Sequence, residues 1–152
     1  QTPSLLKKGI PVGLGTDGAA HGGLSMWNEM RIFRSVMNVT YGVPLAEPAV
    51  MPAKTILDMA VKGGAACLGE EPGAVAVGKR ADLIGIDLDA PHLWVHGKLS
   101  NTLLESVGAG DVKDMITGGK FLMKNREILT LDEEKIRREA LAFEEGAERW
   151  NI

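Results

Sequence analysis

The chain is short of cysteine and of clustered basic residues, and each shortage excludes a class of structure. Its 152 residues contain one cysteine, so no disulfide can form within the chain. Cys67 lies in a small, apolar run that begins at Gly63, which favours a buried, unreactive thiol over a reactive one. The formal net charge is -3 and no block of Lys and Arg occurs, although nucleic-acid binding needs such a block. We therefore expect no nucleic-acid partner.

Long hydrophobic runs are also missing. No stretch approaches the roughly 20 apolar residues of a membrane-spanning helix, and no signal-peptide pattern is found. Apolar residues make up 45% of the chain and charged residues 24%, the usual balance of a soluble globular protein. We predict a cytoplasmic protein with no membrane partner.

The first residues predict a helix that is already ending. Lys7 and Lys8 suit the last turn of a helix, and Gly9 suits the position after it. Residue 1 is Gln rather than Met. We interpret the chain as beginning partway through a larger fold, with a trimmed terminus as the alternative.

The residues up to Gly69 have the pattern of alternating strands and helices. Residues 10–16 form a short apolar run that predicts a buried strand approached closely by other backbone. Ser25 can cap a following helix, and Pro52 suits the first turn of a second helix that ends near Gly69. This order is typical of the last portion of a βα array.

The pattern changes to short strands after Gly69. Val75 and Val77 alternate with small residues, and residues 81–87 read as a strand, whereas residues 88–110 are expected to be irregular. Residues 112–117 and 120–124 are two alternating runs joined by Gly-Gly, which predicts a hairpin. Thr130 and Glu133 have the spacing of a capping box at the start of a tail helix.

The sharpest local feature is the acidic residue Asp17, which follows the first predicted strand and precedes a glycine-rich loop. In α/β barrels the carboxyl ends of the strands hold the active site, and a carboxylate there can bind a metal and accept a proton. An aspartate after a strand is also a common turn former or helix cap, so the pattern alone leaves both interpretations open.

Several motifs resemble one family in the right order along nearly the whole chain. They resemble the amidohydrolase superfamily, in its branch of cytosine deaminases, chlorohydrolases and deaminases of adenosine derivatives. The matching segments are Gly15-Thr16-Asp17-Gly18-Ala19-Ala20, Pro52-Ala53 with Met59-Ala60 and Gly63-Gly64-Ala65, Gly73-Ala74-Val75 with Gly78-Lys79-Arg80-Ala81-Asp82-Leu83-Ile84, Asp111-Val112-Lys113 with Gly119-Lys120, and Leu131-Asp132-Glu133-Glu134.

The resemblance implies an α/β fold that is the C-terminal end of a TIM-like (β/α)8 barrel, with part of a small β-sandwich and a C-terminal helix. We expect barrel elements in residues 1–69, the C-terminal half of the composite sandwich in 70–130 and the tail helix in 131–152. The resemblance further implies that metal-activated water deaminates or dechlorinates a nitrogen heterocycle. Asp17 is then both metal ligand and catalytic proton shuttle, with zinc expected and iron as the alternative.

The histidines depart from the family pattern. The chain has three, His21, His92 and His96, and none forms the H-x-H pair that the family's metal site needs. His21 is expected either to contact substrate at the mouth of the barrel or to face solvent. His92 and His96 have four-residue spacing, but Pro91 argues against the helix that would make them a metal pair.

Two hypotheses follow for the function. In the first, the chain is a fragment of a metal-dependent hydrolase and is inactive alone. Its bare apolar faces then associate with the missing N-terminal portion or with another copy, and a homo-oligomer is expected. In the second, it is a non-catalytic structural or binding module derived from the same family.

Overall fold

A computed structural model describes residues 2–18, 23–47, 49–71, 73–95 and 97–147. Helical elements dominate the first half, and an antiparallel sheet and a long helix make up most of the second. The helices and strands are α1 Thr2–Lys7, α2 Met26–Met37, α3 Ala53–Asp58, α4 Gly64–Cys67, β1 Leu83–Ile86, α5 Leu99–Glu105, β2 Val112–Thr117, β3 Lys120–Lys124, β4 Glu127–Ile128 and α6 Glu133–Ala147. The predicted α/β class is confirmed, while the assignment to a barrel end and half a sandwich stays a prediction, as do the three domain bounds.

The predicted helices of the first half are present. Helix α2 begins after Ser25, whose hydroxyl accepts a hydrogen bond from the Asn28 amide at 3.3 Å, as an N-cap does. Helix α3 runs through the π turn Met59–Gly63 directly into α4. Gly69 follows α4 with a φ of 72°, the left-handed geometry that ends many helices.

The core lies between α2, α3 and α5. Its buried side chains are Met30, Met51, Ala53, Ile56, Met59 and Leu104. Helix α5 lies in the segment predicted to be irregular, and that prediction was wrong. The segment is helical because Leu104 packs into the core and Trp27 and Arg31 of α2 donate hydrogen bonds to the carbonyls of Leu103 and Leu104. These contacts with a distant helix leave no recognisable pattern in so short a stretch of sequence.

The sheet has the strand order β1-β2-β3-β4, with every pair antiparallel. The predicted hairpin of residues 112–117 and 120–124 is confirmed. Gly118 and Gly119 connect its strands with φ values of 56° and 80°, which a two-residue hairpin turn requires. The Asp82 carboxylate accepts a hydrogen bond from the Gly118 amide at 2.7 Å and so ties this turn to the residue before β1.

Four further predictions were wrong. Residues 10–16 form no strand, because no described strand offers backbone partners beside them. Val75 lies in a bend and Val77 in a turn, so neither belongs to a short strand. Cys67 is exposed rather than buried. The tail helix is capped by Asp132, whose carboxylate accepts from the Lys135 amide at 2.9 Å, and not by Thr130.

No helix in the described ranges is long and apolar enough to span a membrane.

Candidate functional site

Asp17 directly follows the segment of residues 10–16, which belongs to no strand or helix. Val12 and Leu14 of that segment pack against the core cluster, so its apolar side faces α2 and α3. Asp17 itself is exposed and has a φ of 53°. Aspartate is among the few residues other than glycine that enter this left-handed region readily. The chain therefore turns sharply at Asp17 and leaves its carboxylate accessible at the end of a packed segment.

The helix formed by α3, the π turn and α4 also contacts the backbone of this segment. The thiol of Cys67 lies 3.8 Å from the Pro11 carbonyl oxygen. Gly63 and Gly64 meet Val12 and Gly13 through backbone atoms, with no side chain between them. The close approach of other backbone that was predicted for residues 10–16 is confirmed, and its partner is the run of small residues that begins at Gly63.

A complete metal site is not formed by the described residues. Within ranges 2–18, 23–47, 49–71, 73–95 and 97–147, no group of three His, Cys, Asp or Glu side chains is arranged to hold a metal ion. A catalytic zinc takes three protein ligands and a water molecule. Asp17 fits one of those places, because its carboxylate is an accessible oxygen donor. A zinc ion bound at Asp17 would need its remaining ligands from outside the described residues.

Of the three histidines, the structure describes His92. His21 and His96 lie outside the described residues, so the role of His21 in substrate binding stays a prediction. His92 is half exposed, and its Nε2 lies 3.2 Å from the Asp111 carboxylate, which is buried. That carboxylate also accepts from the Gly108 amide at 2.8 Å. The hydrogen bond from Gly108 and then the contact with His92 hold the pKa of Asp111 below its usual value.

This His92–Asp111 pair joins the loop after β1 to the start of β2. Asp111 closes the 3-10 turn Ala109–Asp111 directly before β2. His92 lies in the turn Pro91–Leu93, whose Leu93 is fully buried. The geometry gives His92 a structural partner within the described residues.

The sequence of this chain is similar to known proteins. Residues 2–133 match the sequence model of the Amidohydrolase family. The 5-methylthioadenosine/S-adenosylhomocysteine deaminase of Dictyoglomus thermophilum is 43% identical over 138 residues, which cover 90% of this chain and 32% of that protein. The chain thus spans about a third of the length of the curated relative it matches.

Two solved structures resemble the chain closely. An adenosine deaminase from Xanthomonas campestris with bound zinc matches with a TM-score of 0.84 and 26% identity, over 97% of this chain and 34% of that one. The atrazine chlorohydrolase from Arthrobacter aurescens complexed with zinc matches with a TM-score of 0.79 and 26% identity, over 93% of this chain and 31% of that one. Both neighbours were crystallised with zinc.

Proposed function

Because this chain belongs to the amidohydrolase family, we propose that it is the C-terminal part of a hydrolytic deaminase that acts on an adenosine derivative. The position of Asp17 carries the proposal, since the accessible carboxylate follows the packed segment within the motif Gly15-Thr16-Asp17-Gly18. The 43% identity to a deaminase of adenosine-type substrates favours deamination. Dechlorination of a triazine is the second candidate, because a chlorohydrolase shares the fold at 26% identity.

The chemistry that we propose needs little from this chain beyond Asp17. A divalent metal, with zinc favoured by the two neighbours, supplies Lewis-acid activation of water when bound. The Asp17 carboxylate provides one oxygen ligand and accepts a proton from the attacking water. In deamination the ring carbon gains the oxygen of water and loses ammonia, and the proton taken by Asp17 passes to the departing nitrogen.

We further propose that other parts of a longer polypeptide cover the apolar surfaces of this chain. A groove of about 290 Å³ between α2, the α3–α4 helix and β1 is lined by side chains such as Met26, Val61 and Ile84. Val61 is 62% exposed and Ile84 is 48% exposed. Strand β1 pairs with β2 on one edge only within the described sheet, and an unpaired edge favours addition of a strand. Another copy of the chain is the alternative occupant, and homo-oligomer formation and cytoplasmic location stay predictions.

Two measurements test the proposed function. The first is the mass of the native polypeptide in its source cells, detected with an antibody to this sequence. A species far heavier than 16.2 kDa is expected, whereas a 16.2 kDa species without hydrolase activity would favour the non-catalytic module. The second is release of ammonia from adenosine and from 5-methylthioadenosine by that native species. Release that stops after chelation and returns with added zinc supports the proposal. Chloride release from a chlorinated triazine without ammonia release would favour the second candidate, and neither product would refute both.

A further inference from the structure

The segment that carries Asp17 meets the α3–α4 helix through backbone atoms alone at one point. A Cβ atom placed on Gly63 would overlap the carbonyl oxygen of Val12 and lie 2.9 Å from the carbonyl carbon of Val12 and 3.0 Å from Cα of Gly13. The relation is reciprocal, since a Cβ on Gly13 would lie 2.9 Å from the nitrogen of Gly64. Side chains at either position would therefore separate the segment from the helix.

The helix is adapted to this approach. Gly63 is buried and is the last residue of the π turn Met59–Gly63, so the helix widens where the segment crosses it. A π turn interrupts the regular hydrogen bonds of a helix and is found frequently at functional sites. Gly64 is the next residue, and a Cβ on it would meet nothing within 4 Å. The demand for glycine is thus specific to the face that meets Val12 and Gly13.

The contact lies four residues before Asp17 on a segment that has no described strand beside it. In the described ranges, residues 10–18 are in no strand or helix. The position of the segment then depends on side-chain packing by Val12 and Leu14 and on this backbone contact. Packing of flexible apolar side chains tolerates small shifts, whereas contact between backbone atoms does not.

We propose that the contact of Gly13 with Gly63 is a positioning element that sets where the Asp17 carboxylate stands, an inference that rests on the function proposed above. Ordinary contact begins at 3.4 Å, so a Cβ on Gly63 forces Val12 to move by about 0.5 Å or more. Changes that displace a metal ligand indirectly typically weaken metal binding by about 10- to 100-fold. Gly63 and Gly13 carry no side chain that could bind a metal or substrate, so the proposed effect acts through the position of Asp17.

The test compares Gly63→Ala with Gly64→Ala in the complete native protein. The substitutions add the same methyl group to adjacent helical residues, but only the one at position 63 faces the segment. Zinc affinity is measured by competition with a chromophoric chelator, and the visible spectrum of the cobalt-loaded protein reports the ligand geometry. We expect Gly63→Ala to weaken zinc binding about tenfold or more and to alter the cobalt spectrum. Gly64→Ala should match the wild type in both. Gly13→Ala is the second variant and carries the test if Gly63→Ala does not fold.

The outcomes separate this inference from the proposed function. Equal zinc affinity in the variants at positions 63 and 64 would overturn the positioning role, even if Gly63→Ala lowers the melting temperature. Loss of zinc affinity in Gly63→Ala or Gly13→Ala, with Gly64→Ala unchanged, supports it. Asp17→Asn is measured beside them. If the wild type binds zinc no better than Asp17→Asn, the proposed function fails and the positioning role fails with it.

Discussion

Replacing Arg31 by Met should destabilise the fold strongly, because Arg31 ties α2 to the end of α5. Its Nε donates to the Leu104 carbonyl at 3.0 Å, and its second guanidinium nitrogen donates to the Val107 carbonyl. Leu104 and Val107 are fully buried, so water cannot easily replace the lost donors. Met keeps an apolar stem against the helix while removing the charge and every donor.

The expected cost of the Arg31→Met substitution follows from these two contacts. Hydrogen bonds from charged donors contribute about 1.5–3 kcal/mol each, and two bonds from one group add less than twice that. The Arg31 cation also lies at the C-terminal end of α5, where the helix dipole favours positive charge. We expect the free energy of unfolding to fall by about 2–4 kcal/mol.

Arg34→Met is the matched control on the same helix. Arg34 pairs with Glu105, whose side chain is 45% exposed, so its loss should cost less than about 1 kcal/mol. Equilibrium urea unfolding followed by tryptophan fluorescence reports the contact, since the Trp27 indole donates to the Leu103 carbonyl at 2.9 Å beside it. If the free energies of unfolding of the two variants differ by less than about 0.5 kcal/mol, Arg31 is not the main polar contact between α2 and α5 and the prediction is refuted.

Two further predictions concern Asp111 and His21. The pKa of Asp111 is lowered in the folded state, first by the hydrogen bond from the Gly108 amide and then by His92. Its ionised form therefore stabilises the fold at pH values above the pKa in the unfolded chain, and this stability is lost as the pH falls through the folded pKa. Asp111→Asn should lower the free energy of unfolding by about 1–2 kcal/mol at pH 7. It should also weaken the fall of the melting temperature with decreasing pH, and an unchanged fall would contradict this prediction. His21→Ala should raise KM with little change in kcat if His21 contacts the substrate. Unchanged kinetics would leave it as a solvent-facing residue.

Local signals in the sequence predicted the elements that depend on few neighbours. Ser25 as an N-cap predicted the start of α2, and Gly118-Gly119 predicted the hairpin of β2 and β3. These elements form their own hydrogen bonds or pair across a short turn, so nearby residues determine them.

The failed predictions depend on distant parts of the fold. Residues 10–16 have the composition of a buried strand, but a strand needs neighbouring backbone that the described residues do not supply. Helix α5 is short and is stabilised by Trp27 and Arg31, which lie more than 70 positions earlier. Short helices of this kind are set by tertiary packing rather than by local propensity.

The candidate site was predictable only as a single residue. The motif around Asp17 pointed to a metal ligand, and the structure leaves that carboxylate accessible at the end of a packed segment. The sequence predicted that other backbone comes close to residues 10–16, but it did not identify Gly63 as the partner, because a run of small residues in a helix does not reveal which glycine meets another backbone. No metal ligand besides Asp17 could be proposed from the sequence, because the family resemblance requires an H-x-H pair that the chain lacks.

The catalytic role of Asp17 is tested most directly by ammonia release from the complete native protein with Asp17 replaced by Asn. Asn keeps the shape of the side chain but loses the charge and the ability to accept a proton. We predict that turnover falls by at least about 100-fold, since general base catalysis alone contributes about 10²–10⁴-fold. Asp58→Asn, at an exposed pair on the α3–α4 helix, should retain near-normal turnover. Near-normal turnover of the Asp17→Asn variant, in a folded and zinc-loaded protein, would contradict the role of Asp17 as the proton acceptor.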